Sequence, residues 1–217
     1  MAFRSGRERL AYWAVQLACF SPILIFVGQG LTDGLTANPI QFVLRQLGVW
    51  ALRFLVIGLA ITPATKLLKQ PGLVRYRRAV GLWAFTYVCL HLTTYVGIDQ
   101  VFDWPTIGKD ILKRPYITIG MAAFTLLIPL AITSMDRLMR RLGPRRWKRL
   151  HRLIYLIAPM GVIHYYLLVK ADHRPPLIYG ALVLVLLGYR AAMWARDRAR
   201  KAGRDAAKAP KPQTAGV

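Results

Sequence analysis

The chain has 217 residues, of which 55% are apolar, and 31 Lys and Arg residues against 9 Asp and Glu give it a formal net charge of +22. The apolar residues come in long blocks, which indicates a polytopic membrane protein and excludes an ordinary soluble domain. Basic residues separate these blocks, so contact with anionic membrane lipid is a better interpretation of the charge than nucleic-acid binding. No P-loop, dinucleotide fingerprint or nucleophile with its base is visible, so a cofactor would have to carry any chemistry.

Six apolar blocks are each close to the ~20 residues that cross a hydrocarbon core of ~30 Å. They cover residues 11–31, 44–62, 79–98, 117–134, 150–169 and 177–195. The first block is too long for an ordinary signal-peptide core, and no small-residue cleavage site follows it, so we interpret it as a retained helix. The sequence therefore predicts an all-α membrane protein built as a six-helix transmembrane bundle.

Basic residues concentrate in alternate connections between the blocks. The basic stretches are residues 4–9, 66–78, 137–149 and 196–211. The positive-inside rule therefore predicts that both termini are cytoplasmic. Residues 1–196 form the predicted transmembrane domain, and residues 197–217, rich in Ala, Lys, Arg and Pro, are predicted to be a basic, disordered cytoplasmic tail.

Two histidines lie deep inside apolar blocks, where ionisable groups are expensive and therefore indicate a functional site. Counted from the cytoplasmic side, His91 lies ~18 Å into the third block and His164 lies ~21 Å into the fifth. Two neutral imidazoles that face each other at one depth are the arrangement that axially ligates a haem iron. The alternative is two separate histidines, each hydrogen-bonded to a helix backbone.

His151 lies near the cytoplasmic end of the fifth block, ~20 Å below His164. This is about the spacing of two haems stacked across a membrane, but the position thirteen residues before His91 is Arg78, and no other histidine lies at that level. His151 therefore remains open as a ligand of a second iron, a propionate partner, part of a quinone or flavin site, or an interfacial histidine. On a straight helix, His151 and His164 are ~140° apart and do not share one face. His173, in a short outer loop, is predicted to be a surface residue.

For other residues inside the blocks, the sequence supports only less specific functional predictions. Arg53 would either pair with a haem propionate or extend to the interface. Gly81 and Gly161 would let a flat macrocycle approach the backbone, although close helix packing explains them equally well. Cys19 and Cys89 are interpreted as core residues, because no C-x-x-C-H motif or metal-type thiol spacing accompanies them.

Several stretches of this chain resemble the MsrQ family, formerly called YedZ. They are RRAVGLWAFTYVCLH (77–91), KRPYITIG (113–120), LAITS (130–134), LGPRRWKRLHRLIY (142–155) and HYYLLVKAD (164–172). The resemblance covers nearly the whole chain except its tail. It implies the haem-binding membrane subunit of a bacterial methionine-sulfoxide reductase system, with a core related to ferric-reductase and NADPH-oxidase transmembrane domains.

The resemblance further implies a b-type cytochrome of the bacterial inner membrane that passes electrons to the periplasmic molybdopterin subunit MsrP. MsrP would reduce methionine sulfoxide in periplasmic proteins, so this chain would be an electron-transfer subunit and not the catalytic one. The implied donor is the quinone pool or a cytosolic flavin reductase. Haem b and FMN are the implied cofactors, and FMN depends on the resemblance alone. NADPH-oxidase relatives have two histidines on each of two helices, and Arg78 occupies the position of the fourth here.

Two other functions remain compatible with the sequence. One is a stand-alone transmembrane ferric or quinone reductase, whose haem would reduce a small acceptor without a partner subunit. The other is a haem-free structural membrane protein, such as an assembly factor or anchor.

Overall fold

The computed structural model describes residues 5–32 and 36–208, which form helices and connections without a strand. The eight α-helices are α1 (Gly6–Leu31), α2 (Pro39–Leu67), α3 (Tyr76–Thr93), α4 (Trp104–Lys113), α5 (Pro115–Ile132), α6 (Asp136–Leu150), α7 (Ile154–Leu168) and α8 (Arg174–Lys208). Short 3-10 helices, Pro71–Arg75 and His151–Leu153, precede α3 and α7, and a π-helix, Thr94–Asp99, extends α3. The predicted all-α class is confirmed for these residues.

Five helical segments in the described part of the chain are long and apolar enough to cross a membrane, so the protein is a multi-pass membrane protein. They are Gly6–Leu31, Pro39–Leu67, Pro71–Asp99, Pro115–Ile132 and Arg174–Asp205. The fifth of the six predicted blocks differs from the expectation, because its first residues form a 3-10 turn and α7 itself has 15 residues. At ~1.5 Å per residue, α7 is ~22 Å long and shorter than a hydrocarbon core.

Two further helices lie in connections for which the sequence analysis predicted no element. The side chain of Asp103 caps α4 by accepting a hydrogen bond from the backbone N–H of Thr106. The basic stretch 137–149 forms most of α6, which bends at Gly143, where φ is 72° and Pro144 follows. Because glycine has no side chain, Gly143 adopts this positive φ before Pro144 without a steric penalty, and the helix is interrupted there.

The predicted disorder after residue 196 differs from the structure, because α8 continues as a helix to Lys208. Ala, Arg and Lys are strong helix formers, and Asp197 lies four residues before Lys201, the spacing at which opposite charges support a helix. The rest of the predicted tail, residues 209–217, lies outside the described residues.

Helix α2 is the central element of the bundle. Its buried residues are Leu47, Ala51, Leu52, Phe54, Leu55, Val56, Leu59 and Pro63. Leu47, Ala51, Phe54 and Leu55 belong to one core cluster with residues of α1, α3, α5 and α7, whereas Leu52, Val56 and Leu59 pack with residues of α7 and α8. A helix that is apolar around most of its circumference is buried by neighbours on several sides.

Small and aromatic residues complete this packing. Ala84 of α3 and Ala158 of α7 are fully buried, and small residues at such positions let helix backbones approach closely. Tyr87 is also fully buried, and its hydroxyl donates a 2.9 Å hydrogen bond to the backbone oxygen of Cys19. Cys19 is buried and Cys89 half-buried, and both are free thiols.

Ion pairs connect segments at one end of the bundle, which we call the basic end because the basic helix α6 lies there. Arg75 and Glu8 approach to 3.0 Å and connect the start of α1 to the turn before α3. Arg78 of α3 pairs with Asp136 at the start of α6, and this hydrogen bond lowers the pKa of the Asp136 carboxyl group. The starts of α1, α3 and α6 therefore lie close together at the basic end.

Candidate functional site

His91 of α3 and His164 of α7 face each other across the bundle. Their ring centroids are 6.1 Å apart, and the ring planes are at 87° to each other. Two metal–imidazole bonds of about 2 Å, together with the distance from each nitrogen to its ring centre, give a separation of about 6 Å. The two rings are thus at a distance that suits one iron between them. The sequence predicted a common depth for these residues, and the structure places them at one level.

A backbone carbonyl fixes the tautomer of each ring. Nδ1 of His91 lies 2.8 Å from the carbonyl oxygen of Leu44, and Nδ1 of His164 lies 2.6 Å from that of Tyr116. A carbonyl oxygen only accepts hydrogen bonds, so each Nδ1 carries the proton and each Nε2 keeps a lone pair for a metal. The two alternatives from the sequence, backbone hydrogen bonding and iron ligation, therefore use different nitrogens of the same ring.

A glycine makes room for each histidine ring. Gly48 lies four residues after Leu44 on α2, and Gly120 lies four residues after Tyr116 on α5. A Cβ atom at Gly48 would be 3.2 Å from Nδ1 of His91, and one at Gly120 would be 2.8 Å from Nδ1 of His164. The side chain at position i+4 covers the helix surface beside the carbonyl of residue i. Glycine at these two positions is therefore what lets the imidazoles reach the helix carbonyls.

Both histidines line a cavity of about 280 Å³ between α2, α3, α5 and α7. This is near the lower end of the ~300–1,000 Å³ that is usual for sites of small organic ligands. Apolar side chains form much of the wall, including Leu52, Leu55 and Ile157. The end of the cavity farther from the basic end is polar and includes Gln41, Arg45, Asp99, Arg114 and Tyr116.

This division of polarity fits a haem. The apolar wall suits the porphyrin ring, and the guanidinium groups of Arg45 and Arg114 suit its two carboxylates, because arginine binds carboxylates through fixed N–H donors. The described residues therefore offer two nitrogen ligands, an apolar slot and a cationic rim, which together match the chemistry of this cofactor.

Arg53 is not at the cavity, so the structure does not support its predicted pairing with a propionate. Its Nε donates a 2.9 Å hydrogen bond to the hydroxyl of Tyr179, and its guanidinium lies 4.5 Å from the ring centroid of Trp50. Leu52 lines the cavity, and the next residue on a helix points ~100° away from it. Arg45, which lies almost two turns before Leu52 on α2, lines the cavity instead.

The two glycines named from the sequence have different surroundings. Gly161 lines the cavity, and a Cβ atom there would lie 3.5 Å from Leu52. Gly81 is exposed, and a Cβ atom there would have no neighbour within 4 Å. Nothing in the sequence distinguishes Gly48 or Gly120 from the other helical glycines, because their role depends on a histidine of another helix.

His151 lies apart from the cavity, in the 3-10 turn before α7. Its ring stacks on Trp147 with centroids 4.0 Å apart, and its Nε2 lies 3.2 Å from the hydroxyl oxygen of Thr133. Trp147 in turn donates a 3.0 Å hydrogen bond to the backbone oxygen of Thr133. The structure thus brings His91 and His164 together and leaves His151 in a separate cluster between α5 and α6. His173 is half-buried against Tyr166, with ring centroids 4.7 Å apart.

A helical membrane core with two opposed histidines around an apolar cavity defines a class of transmembrane haem-binding protein. The family described as "Ferric reductase like transmembrane component" matches residues 47–162 of this chain. This segment begins inside α2 and ends inside α7, so it covers most of the cavity walls.

Of the two opposed histidines, His91 lies inside the matched segment, and His164 lies two residues beyond its end.

The most informative comparisons are with three curated bacterial proteins, each named "Protein-methionine-sulfoxide reductase heme-binding subunit MsrQ". The chain is 58% identical to the protein of Caulobacter vibrioides, over 85% of this chain and 88% of the relative. It is 50% identical to that of Rhodospirillum rubrum, over 88% of this chain and 92% of the relative. It is 49% identical to that of Herminiimonas arsenicoxydans, over 79% of each. The chain therefore belongs to the MsrQ family.

The glycine beside each histidine gives a direct test of this geometry. We expect Gly120→Ala to lower the amount of haem bound per protein, because the new Cβ atom would force the His164 ring away from the carbonyl of Tyr116. Gly48→Ala should have a smaller effect, since its contact with His91 is longer. Absorbance of haem against protein concentration in purified samples measures both.

Gly81→Ala is the matched control, because it is the same substitution in a helix with no neighbour near the new atom. It should keep the wild-type haem content, and alanine in place of glycine favours the helix by about 1 kcal/mol. Full haem content in Gly120→Ala would show that the ring does not need this close approach.

Proposed function

We propose that this protein is the electron-transferring, haem-binding membrane subunit of a protein-methionine-sulfoxide reductase system, with His91 and His164 as the axial ligands of one haem b. The observation that carries the proposal is the pair of opposed rings, 6.1 Å apart, each with Nδ1 held by a helix carbonyl. When bound, the haem would supply one-electron exchange at iron, which no side chain of the described residues provides.

The protein's own groups would hold and tune this cofactor. The carbonyls of Leu44 and Tyr116 keep the Nδ1 protons in place, which directs each Nε2 toward the metal and raises its basicity. The apolar wall would exclude water from the ring, and burial of this kind is one of the ways in which a protein sets a redox potential. Arg45 and Arg114 would bind the propionates at the polar rim.

The proposal includes a six-span topology with both termini in the cytoplasm. Together with the 3-10 turn before it, α7 gives a helical stretch over residues 151–168 that is ~28 Å long, close to the thickness of a hydrocarbon core. The basic end, with α6 and the end of α8, would face the cytoplasm of a bacterium with this protein in its inner membrane. The polar rim of the cavity would then lie toward the periplasm.

This orientation supports transfer of electrons outward. A haem whose carboxylate edge lies near the periplasmic face is well placed to reduce a periplasmic partner, and we propose the molybdopterin subunit MsrP in that role. The donor would act from the basic end, as membrane quinol or as a cytosolic flavin reductase. Haem b is the cofactor we propose. FMN was implied by the resemblance alone, and we identify no FMN site in residues 5–32 and 36–208.

The alternative of a stand-alone ferric or quinone reductase uses the same haem. The relatives' shared name describes a subunit, which favours a protein that hands its electrons to a partner. Reduction of ferric chelates by the purified protein alone, at rates that match electron flux in cells, would favour the stand-alone reductase instead.

Absorption spectroscopy tests the two proposed ligands. We expect His91→Ala and His164→Ala each to abolish the b-type bands in the reduced-minus-oxidised absorption spectrum, because either change removes one axial nitrogen. His173→Ala is the control, since that residue lies outside the cavity, and it should retain the bands. Unchanged spectra in both ligand variants would show that the assignment is wrong.

The haem-to-protein ratio tests the role of His151. With a single haem between His91 and His164, His151→Ala should keep the wild-type ratio of haem to protein. Its ring stacks on Trp147 and contacts Thr133, so we expect its loss to disturb only that cluster. Loss of about half of the haem in His151→Ala would instead establish a second haem site at the basic end.

A further inference from the structure

A second cavity, of about 590 Å³, lies between α1 and α3 at the basic end. Its lining is Tyr12, Trp13, Gln16, Arg78, Ala79, Leu82, Trp83, Thr86 and Asp136, and none of these residues lines the histidine cavity. We propose that it binds the headgroup of a membrane quinone. The inference rests on the proposed function, because a quinol at this position would be the electron donor for the haem.

The surroundings of the cavity indicate a lipid-soluble ligand. Helix α1 exposes large apolar side chains on both sides of the cavity residues, with Leu10 73% and Leu17 66% accessible. In a membrane-spanning helix, such residues face the hydrocarbon. Trp13, itself a lining residue, is also exposed. A ligand with an apolar tail could thus enter from the bilayer with its tail left in the lipid.

Polar groups inside the cavity suit the two oxygens of a quinone ring. Gln16 connects the two helices: its Nε2 donates a 2.8 Å hydrogen bond to the hydroxyl of Tyr12, and its Oε1 accepts one from Nε1 of Trp83. Arg78 carries five N–H donors, and its contact with Asp136 uses one terminal nitrogen. An amide and a guanidinium would donate to the quinone oxygens, and the Trp13 and Trp83 rings offer faces for stacking.

The chemistry of quinol oxidation can be balanced at this position. Conversion of a quinol to a quinone releases two electrons and two protons. The electrons would go one at a time to the ferric haem of the proposed function, so one quinol serves two transfers. Asp136 is held as a carboxylate by Arg78, which lowers the pKa of its carboxyl group, and it lies at the exposed basic end. The two protons would be released to water at that exposed face.

A line of aromatic residues on α3 connects this cavity with the histidine site. Trp83, Tyr87 and His91 follow one another at intervals of four residues and therefore share one face of the helix. The rings of Trp83 and Tyr87 are 6.2 Å apart. Along the helix axis, Trp83 and His91 are separated by ~12 Å. The cavity is thus close to the proposed haem through densely packed protein, and the path does not involve His151.

The test is equilibrium binding of decyl-benzoquinone, a short-chain quinone, to purified haem-loaded protein. We expect Gln16→Leu to raise the Kd at least about tenfold, because it removes the amide from the centre of the cavity. Gln46→Leu is the matched control, since Gln46 lies on α2 and lines neither cavity, and it should bind like the wild type. An unchanged Kd in Gln16→Leu would overturn the proposal.

A second measurement keeps the test valid if Gln16→Leu fails to fold. Photolabelling of wild-type protein with an azido-benzoquinone, followed by peptide mapping, should place the label on α1 or α3 between residues 12–16 or 78–86. A label confined to other helices, or full protection of these peptides by FMN, would overturn the quinone assignment. Absorption spectra of the same samples separate the two proposals. Absence of b-type haem bands in the wild-type protein would contradict the proposed function, but it would not contradict quinone binding in this cavity.

Discussion

The hydrogen bonds from the two histidine rings to helix carbonyls are the constraint on which the rest of the site depends. Each bond fixes one nitrogen of an imidazole and leaves the other for a metal. It also requires that the ring lie directly against a neighbouring helix, and a glycine four residues after the carbonyl makes room for the ring. His91 is held in this way by α2, and His164 is held by α5. Four helices are therefore fixed around one cavity by two equivalent contacts.

The central position of α2 makes these contacts possible. Its apolar residues pack against α1, α3 and α5 on one side and against α7 and α8 on the other. One helix thus provides the carbonyl of Leu44, the close approach at Gly48 and the cationic rim at Arg45. The buried face of α3 adds His91 and the aromatic line that leads to the second cavity. Under the proposed function, α3 would connect electron entry at the basic end with the haem near the opposite face.

Much of the helical architecture could be predicted from the sequence, because long apolar blocks indicate membrane-spanning helices. The pairing of His91 with His164 was also predictable, since equal depth on two helices follows from counting residues. The boundaries of α7 and α8 were harder to predict from the sequence. The 3-10 turn at His151–Leu153 shortens α7, and helix-forming residues with supporting charge pairs extend α8 beyond residue 196.

The contacts between helices could not be predicted from one sequence. Arg53 was a reasonable partner for a propionate by depth alone, but its direction around α2 turns it toward Tyr179. Arg45 and Arg114 line the same rim only because α2 and the turn before α5 border one cavity. Gly48 and Gly120 are likewise explained only by the histidines that lie against them. In each case the role of the residue depends on which helix lies next to it, and the periodicity of one sequence does not reveal which helices are neighbours.

The measurement that tests the central claim most directly is the electron paramagnetic resonance spectrum of the oxidised, haem-loaded protein. Two axial imidazoles with planes at 87° predict a low-spin ferric signal of the strongly anisotropic type that near-perpendicular ligand planes produce. The signal should be lost in the His91→Ala and His164→Ala variants. A wild-type spectrum dominated by high-spin, five-coordinate iron would contradict the claim that both histidines bind one haem.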